Sequence, residues 1–477
     1  VRRLFTIFPA FFAAMLLILA PAMNARAGVL TPDKLTIRKE NEMGRNFDRL
    51  IRQQMSMVGD TYITDYVDEL VQNVVKGKRP MPFKVRSAVV ANPLLNAFAI
   101  PGGYIYIFTG LIQDVTSESQ LVGVIAHELA HVSQRHVASR LEKQGKIGML
   151  TMAGVLAGIF LGMAGGSNQA GAALMAGAQG IGTAAMLQYS QDDEREADHV
   201  GLNSMIKAGY NPEGMPQTFE IMKKKHWFDN GRQNVPSYLS THPGLSERIT
   251  YLNDRIKRMP KTLTERKDDN AQLKRVQALV RSKLSAPDTA LGYYISKPEN
   301  TYTALDYMAV GVIQERLKAR DKAQIAIEKA LQMAPKDPLV SREAGIFYFK
   351  SGDRKKAFQY LQMAVIKNQR DALGLFYFAR LQAENDQYKR AAENMRKVME
   401  IVPEDWEVHH HLGMILGESG DQFGGNLQLA YAALYGGNKG KARYHKGLAA
   451  QLAKTPAQQE ELKQFDAVFS EWTKPVK

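Results

Sequence analysis

Apolar positions along this chain change their period several times, and each change marks a boundary. Over residues 46–75 they recur at helical spacing. Over 83–91 and 96–109 the period shortens to that of strands, with turn-forming Asn92-Pro93 between the two runs and Pro101-Gly102-Gly103 inside the second. Leu121, Val124, Ile125, Leu129 and Val132 then restore a helical face behind Ser117 and Gln120, which are spaced as a capping box. Residues 147–187 follow neither pattern. The stretch 147–164 has one polar side chain, Thr151, and carries Gly154, Gly158 and Gly162 on every fourth residue. With Gly165-Gly166-Ser167-Asn168 as its turn, the region predicts a tight antiparallel helical hairpin. Its first arm is at the lower limit for a bilayer span and is rich in Gly and Ala. It is therefore expected to pack on its own protein or to make a peripheral contact with anionic headgroups.

Residues 255–301 are basic and then polar, with an amphipathic helix near 273–284, and read as a connector. Beyond them the sequence repeats. Gly311, Gly345, Ala379 and Gly413 are spaced by 34 residues, as are Ala323, Ala357 and Ala391, and Pro335 and Pro403 lie two periods apart. Small residues at the eighth and twentieth positions, with Pro at the thirty-second, mark the crossings and turns of paired helices in a tetratricopeptide (TPR) array. The array is expected over 302–477 as about four repeats plus a C-terminal cap, with a concave groove, separable from what precedes it. The fourth repeat weakens after Gly413 and is expected to close the array. His409-His410-His411 falls in the first helix of that repeat and reads as packing and surface.

Residues 1–27 have the form of a signal peptide. Arg2-Arg3 supplies the charged start, residues 4–20 the apolar stretch, and Ala25-Arg26-Ala27 a cleavage site after Ala27. An exported protein is expected. The absence of cysteine excludes a disulfide framework and suits an oxidising compartment. In 477 residues, 45% hydrophobic and 23% charged composition describes folded domains with room for a sizeable core. The net charge of +14 suits an anionic membrane face or acidic partners. No nucleic-acid motif accompanies it, so no nucleic-acid partner is expected.

The chemistry concentrates in Ile125-Ala126-His127-Glu128-Leu129-Ala130-His131. On a helix, His127 and His131 lie one turn apart on one face, so both imidazoles can reach one metal ion. Glu128 stands beside that face, placed to touch a water at the metal rather than the metal. Glu194 and Asp198 repeat the four-residue spacing on a second helix. That gives a third ligand for a zinc site and a carboxylate one turn later to hold a ligating histidine. Glu196 points away from Glu194 and is expected to face solvent. The run 96–108, leading directly to the metal helix, is a candidate edge strand along which an extended peptide could add. Asn96, Ala97, Phe98, Gly102 and Gly103 are its candidate substrate-binding positions.

Asn96-Ala97-Phe98-Ala99, His127-Glu128-x-x-His131, Glu194-x-x-x-Asp198 and Thr241-His242-Pro243 with Arg248-Ile249 resemble the HtpX and CAAX prenyl-protease metallopeptidases over about residues 40–255. The resemblance implies an α+β, gluzincin-type metallopeptidase domain, mostly helical with a small sheet, at 28–254. An all-α TPR solenoid follows it. The resemblance also implies one Zn2+ per chain on His127, His131 and Glu194, with Glu128 as the catalytic base. It brings His242 to the metal as an oxyanion donor or as a fourth ligand that blocks water. From the residues alone, His242 is only a histidine before a proline in a loop.

For the whole chain the resemblance implies a periplasmic zinc endopeptidase of envelope quality control. Its substrates would be unfolded or unpaired-strand polypeptides, among them misassembled outer-membrane proteins. Its TPR repeats would recruit the client or the outer-membrane assembly machinery. The alternative is a TPR chaperone or adaptor whose peptidase site is mostly inactive.

Overall fold

The computed structural model describes residues 35–77, 81–142, 189–229 and 238–473. The expected leader at 1–27 and hairpin at 147–187 lie outside the described residues. The helical pattern at the start resolves into two helices, α1 (Ile37–Gln54) and α2 (Thr61–Lys76). They part at Asp60, whose side chain accepts from the Tyr62 N–H and starts the second helix.

Three strands follow: β1 (Arg86–Val90), β2 (Ala97–Ile100) and β3 (Tyr104–Phe108). Their order is β1-β3-β2, with β1 parallel and β2 antiparallel to β3. The expectation of a single edge strand over 96–108 is therefore corrected: β2 lies at an edge of the sheet, and β3 lies at its centre. All five β3 side chains are buried. Tyr104, Tyr106 and Phe108 meet Phe47 and Ile51 of α1 and Met55 at its end, while Ile105 and Ile107 enter the main core with α2. A strand covered on both faces reads as one continuous apolar run, so its sequence does not reveal its place in the sheet.

Helices α3 (Thr109–Asp114) and α4 (Glu118–Ser133) lead out of the sheet, and residues 136–142 are helical again. Half of the expected capping box forms. Ser117 accepts from the Gln120 N–H, but the Gln120 side chain turns back to the Thr116 N–H at 2.7 Å instead of the Ser117 N–H. Helix α4 is buried from Ser119 to Val132. Against it pack α5 (Gln191–Lys207) and α6 (Gly214–Asp229). Glycines permit the approach: a Cβ on Gly123 would lie 2.6 Å from the Met215 Cα, and one on Gly201 would lie 2.9 Å from the Ala126 carbonyl oxygen. Helices α7 (Tyr238–Thr241), α8 (Leu245–Ile256) and α9 (Lys261–Thr264) complete this part.

Helix α10 (Ala271–Leu284), inside the expected connector, is a core element. It buries Leu273, Val276, Leu279 and Val280, and Gln277 donates to the carbonyls of Ile112 and Val115. After α11 (Pro287–Ile295) come five helix pairs: α12 (Ala304–Arg316) with α13 (Arg320–Met333), α14 (Pro338–Ser351) with α15 (Arg354–Lys367), α16 (Ala372–Glu384) with α17 (Tyr388–Ile401), α18 (Trp406–Glu418) with α19 (Gln422–Tyr435), and α20 (Lys439–Leu452) with α21 (Pro456–Thr473). The 34-residue register governs their packing. A Cβ on Gly311 would meet Ile327 at 2.7 Å, and one on Gly413 would meet the Gly425 carbonyl at 2.9 Å. Caps keep the same register, with Thr303, Asp337, Asp371 and Asp405 each accepting at the start of a first helix. The array therefore continues past Gly413, because Gly425 supplies the small residue where earlier repeats have alanine.

The array does not stand apart. One apolar cluster runs from Val58 to Leu416. Across the junction, Arg342 of α14 is fully buried and reaches Asp60 at 2.9 Å, Glu343 at 2.8 Å and Asp371 at 3.3 Å. Lys283 joins Asp60 and Glu343 at 3.1 and 2.7 Å. The expectation of a separable array is corrected by this shared core. Among the described residues no helix is long and apolar enough to cross a membrane.

Candidate metal centre

Helical spacing does at this site what the sequence requires of it. His127 and His131 lie on one face of α4 with their Nε2 atoms 3.0 Å apart. Helix α5 begins at Ser190, which forms a capping box with Asp193, and its first turn delivers Glu194. Glu194 Oε2 lies 3.5 Å from His127 Nε2, and its Oε1 lies 3.4 Å from His131 Nε2. His242 arrives on the turn between α7 and α8. That turn is pinned by the Tyr189 N–H to the Thr241 carbonyl and closed by Gly244 at φ +76°. His242 Nδ1 stands 2.9 Å from Glu194 Oε1 and 3.4 Å from His127 Nε2. One ligand atom from each of these four buried residues falls within 4.8 Å of the others, and the group could hold a metal ion.

The electrostatics favour a cation there. Glu128, Glu194 and Asp198 are buried carboxylates, and the buried Arg248 guanidinium lies against Glu194 and Asp198. Burial pushes Glu194 up, but His242 and hydrogen bonds from the three histidines outweigh it and hold the carboxyl well below its usual range. Burial and Arg248 push His127 down, yet Asp198 and Glu194 win and raise it to about 9. Burial drives His131 well below its ordinary value. Burial likewise raises Glu128, and neither of its carboxylate oxygens has a hydrogen-bond partner. An unsatisfied buried carboxylate is costly, and here it faces the cluster, 3.6 Å from His242 Nε2.

Behind the four residues lies a ring of supports. Asp198 accepts from His127 Nδ1 at 2.9 Å, from Arg248 Nε and Nη2 at 2.7 Å each, and from the Tyr251 hydroxyl. Arg248 Nη1 also donates to Glu194 Oε2. Tyr189 stacks on the His131 ring at 3.8 Å, and Tyr238 stacks on the His242 ring at 4.1 Å. Sequence reasoning assigned none of Arg248, Tyr189, Tyr238 or Tyr251 a role, although Arg248 lies within a quoted motif. Their contacts come from elements distant in sequence, so no local spacing announces them. Glu196 is about half exposed as expected, but its carboxylate is engaged by Gln134 at 2.6 Å and His136 at 3.3 Å.

The expected substrate positions divide. Asn96 is buried, and its side chain accepts from the Ala97 N–H at 2.8 Å. Ala97 and Phe98 lie in β2, with Phe98 stacked on Tyr106 at 4.8 Å. Gly102 and Gly103, at φ +81° and +86°, form the turn under α1. A Cβ on Gly102 would lie 3.3 Å from the Asn41 Cα of α1, and one on Gly103 2.9 Å from the Lys84 carbonyl oxygen, so both turn positions are closely packed; Gly102 also lines the crevice beside β2. A narrow crevice lined by Ala99, Ile100, His131, Val132 and Tyr189 runs between β2 and the cluster.

The sequence profile described as peptidase family M48 matches residues 60–256. The chain is similar to the "Beta-barrel assembly-enhancing protease" of Yersinia pestis, at 28% identity over 69% of this chain and 65% of that one. The protein of the same name from Escherichia coli (strain K12) is 30% identical over 52% of this chain and 49% of its own length. Human "Metalloendopeptidase OMA1, mitochondrial" is 33% identical over 35% of this chain and 31% of its own. The chain thus spans between about half and two thirds of the two bacterial relatives.

Proposed function

With the peptidase family M48 profile matching residues 60–256, we propose that this chain is an exported, zinc-dependent endopeptidase of envelope protein quality control. The observation that carries the reading is the orphaned Glu128 carboxylate beside a ring of three imidazoles and Glu194. The donor set suits zinc. Ligands about 2.0–2.1 Å from a tetrahedral ion lie roughly 3.3 Å from one another. The nearest approaches here run from 2.9 to 3.5 Å, and one ligand atom from each residue lies within 4.8 Å of the others.

Zinc would supply Lewis acidity, polarising the scissile carbonyl and bringing the pKa of water at the site to about 7. Glu128 takes the proton of the attacking water and returns it to the leaving amine. Asp198 holds His127 in the tautomer that offers Nε2 to the metal, and Arg248 fixes Asp198. His242 would serve as a fourth ligand that shuts the site at rest. Swung aside, its ring can donate to the oxyanion. A peptide adds along the free edge of β2, which favours unfolded or unpaired strands. Misassembled outer-membrane proteins in the periplasm are such substrates, and the name of the bacterial relatives supports that choice. The helical-pair array recruits the client or its assembly machinery.

A second reading has one observation in its favour. His242 joins His127, His131 and Glu194 in the cluster and every site residue is buried, as a TPR chaperone or adaptor with a shut peptidase site would have them. Cleavage of an unfolded polypeptide by the zinc-loaded chain and by His242→Ala, each with and without chelator, separates the two. Chelator-sensitive cleavage by either supports the peptidase. Zinc bound with no cleavage by both supports the adaptor.

A further inference from the structure

His127 and His131 both need their Nδ1–H held if Nε2 is to face a metal. For His127 the partner is the Asp198 carboxylate. For His131 it is another imidazole: His131 Nδ1 lies 2.8 Å from His136 Nδ1. Two ring nitrogens at that distance require one hydrogen and one lone pair between them. His131 Nε2 faces the cluster, 3.0 Å from His127 Nε2 and 3.4 Å from Glu194. If it offers a lone pair there, the His131 hydrogen must be on Nδ1. His136 Nδ1 is then the acceptor, and the His136 hydrogen sits on Nε2. That atom lies 3.3 Å from Glu196 Oε2 and 3.9 Å from Asp193 Oδ1. The direction of every hydrogen bond in the series follows from the first.

Local backbone geometry produces the arrangement. On an uninterrupted helix, a residue five positions after His131 would point well round the helix from it. Helix α4 instead ends at Ser133, and Arg135 adopts φ +55°, a left-handed conformation rare for a residue with a side chain. The Arg135 side chain is held by Glu40 and by the Leu35 carbonyl. The turn folds His136 back beneath His131, where it is 4% exposed. Gln134 of the same turn donates to Glu196 Oε1 at 2.6 Å, so the carboxylate that ends the series is itself fixed.

Resting on the metal-site reading above, we infer that His136 is a positioning residue for the metal. It holds His131 in its ligating tautomer and orientation, with Glu196 completing an imidazole–imidazole–carboxylate series. The two histidine ligands are thus supported unequally, one by a carboxylate directly and the other through an interposed ring. Supports of this kind are worth 10- to 100-fold in metal affinity.

The test is zinc affinity, measured by competition with a chromogenic chelator on the full chain in the Glu128→Gln background, so that no turnover enters. His136→Ala should weaken zinc by about 10- to 100-fold, and His136→Asn, which restores an acceptor, should recover much of that loss. Glu196→Gln removes the half-exposed end of the series without opening the core. It should weaken zinc less and alter the visible spectrum of the cobalt-substituted protein. If His136→Ala loses its helical circular dichroism, Glu196→Gln and His136→Asn decide the matter. Wild-type zinc affinity and cobalt spectrum in Glu196→Gln, with Asn no better than Ala at 136, overturn the inference. A parent protein that binds no zinc at all defeats the metal-site reading instead, which is a different result.

Discussion

Arg248 grips Asp198 with two parallel hydrogen bonds, Nε to Oδ2 and Nη2 to Oδ1, both at 2.7 Å. Only a planar fork can do this while a third nitrogen reaches Glu194, so the residue sets the positions of a proposed ligand and of a ligand's support together. Arg248→Lys keeps the charge and loses the fork. Zinc affinity by chelator competition should fall by about 10- to 100-fold. An unchanged affinity would remove Arg248 from the account.

Metal and proton should compete for the same buried imidazole. In the metal-free chain Asp198 and Glu194 raise His127 to about 9, so at neutral pH it carries a proton that zinc must displace. The sign is definite. Below about pH 9 apparent zinc affinity should rise with pH, by up to tenfold per unit from this group. Calorimetric titrations at pH 7 and 8 in buffers of different ionisation enthalpy should show proton release on binding. Affinity that is flat over that range, with no proton released, contradicts the prediction.

How much of this was legible depends on the range of each contact. Spacings of four residues within a helix placed His127, His131, Glu194 and Asp198, because helical geometry alone puts such pairs on one face. The 34-residue period placed the small residues at helix crossings for the same reason. His242 came only through resemblance, since nothing local says that its turn will fold over α4. His136 depended on a left-handed backbone at Arg135, which arginine does not signal. The parallel pairing of β1 with β3, which buries β3 and leaves β2 at the edge, is set by tertiary packing. Arg342 and Asp60, 282 residues apart, look like surface charges until the array closes on α2.

At that junction, burial alone would raise Asp60, but Arg342 and Lys283 outweigh it and hold its carboxyl well below the usual range. Its stabilising contribution is therefore complete above an unfolded-chain value of about 3.9 and is lost as pH falls further. Asp60→Asn leaves buried Arg342 short of a partner and should cost about 3 kcal/mol in urea unfolding at pH 7. The deficit should shrink below pH 4. Equal stability at pH 7 would mean that Glu343 and Asp371 already satisfy Arg342.

The free edge of β2 makes a prediction about substrate alone. Phe108 N–H donates to the Asn96 carbonyl, so by alternation Asn96, Phe98 and Ile100 carry the ladder to β3, while Ala97 and Ala99 face outward. The Ala97 N–H is taken by the Asn96 side chain, which leaves Ala99 to receive a peptide. Ala99→Pro removes that donor without touching the ladder. Cleavage of an unfolded polypeptide should fall at least tenfold with zinc content unchanged. Undiminished cleavage would place the substrate elsewhere.

The central claim is that Glu128 handles the proton in a hydrolysis and does not bind the metal. Zinc content per chain, measured together with cleavage of an unfolded polypeptide for the parent and for Glu128→Gln, tests it most directly. The account predicts one zinc in both proteins, with cleavage lost in the variant by about two to four orders of magnitude. Loss of zinc from Glu128→Gln, or cleavage at the parent rate with zinc retained, would contradict it.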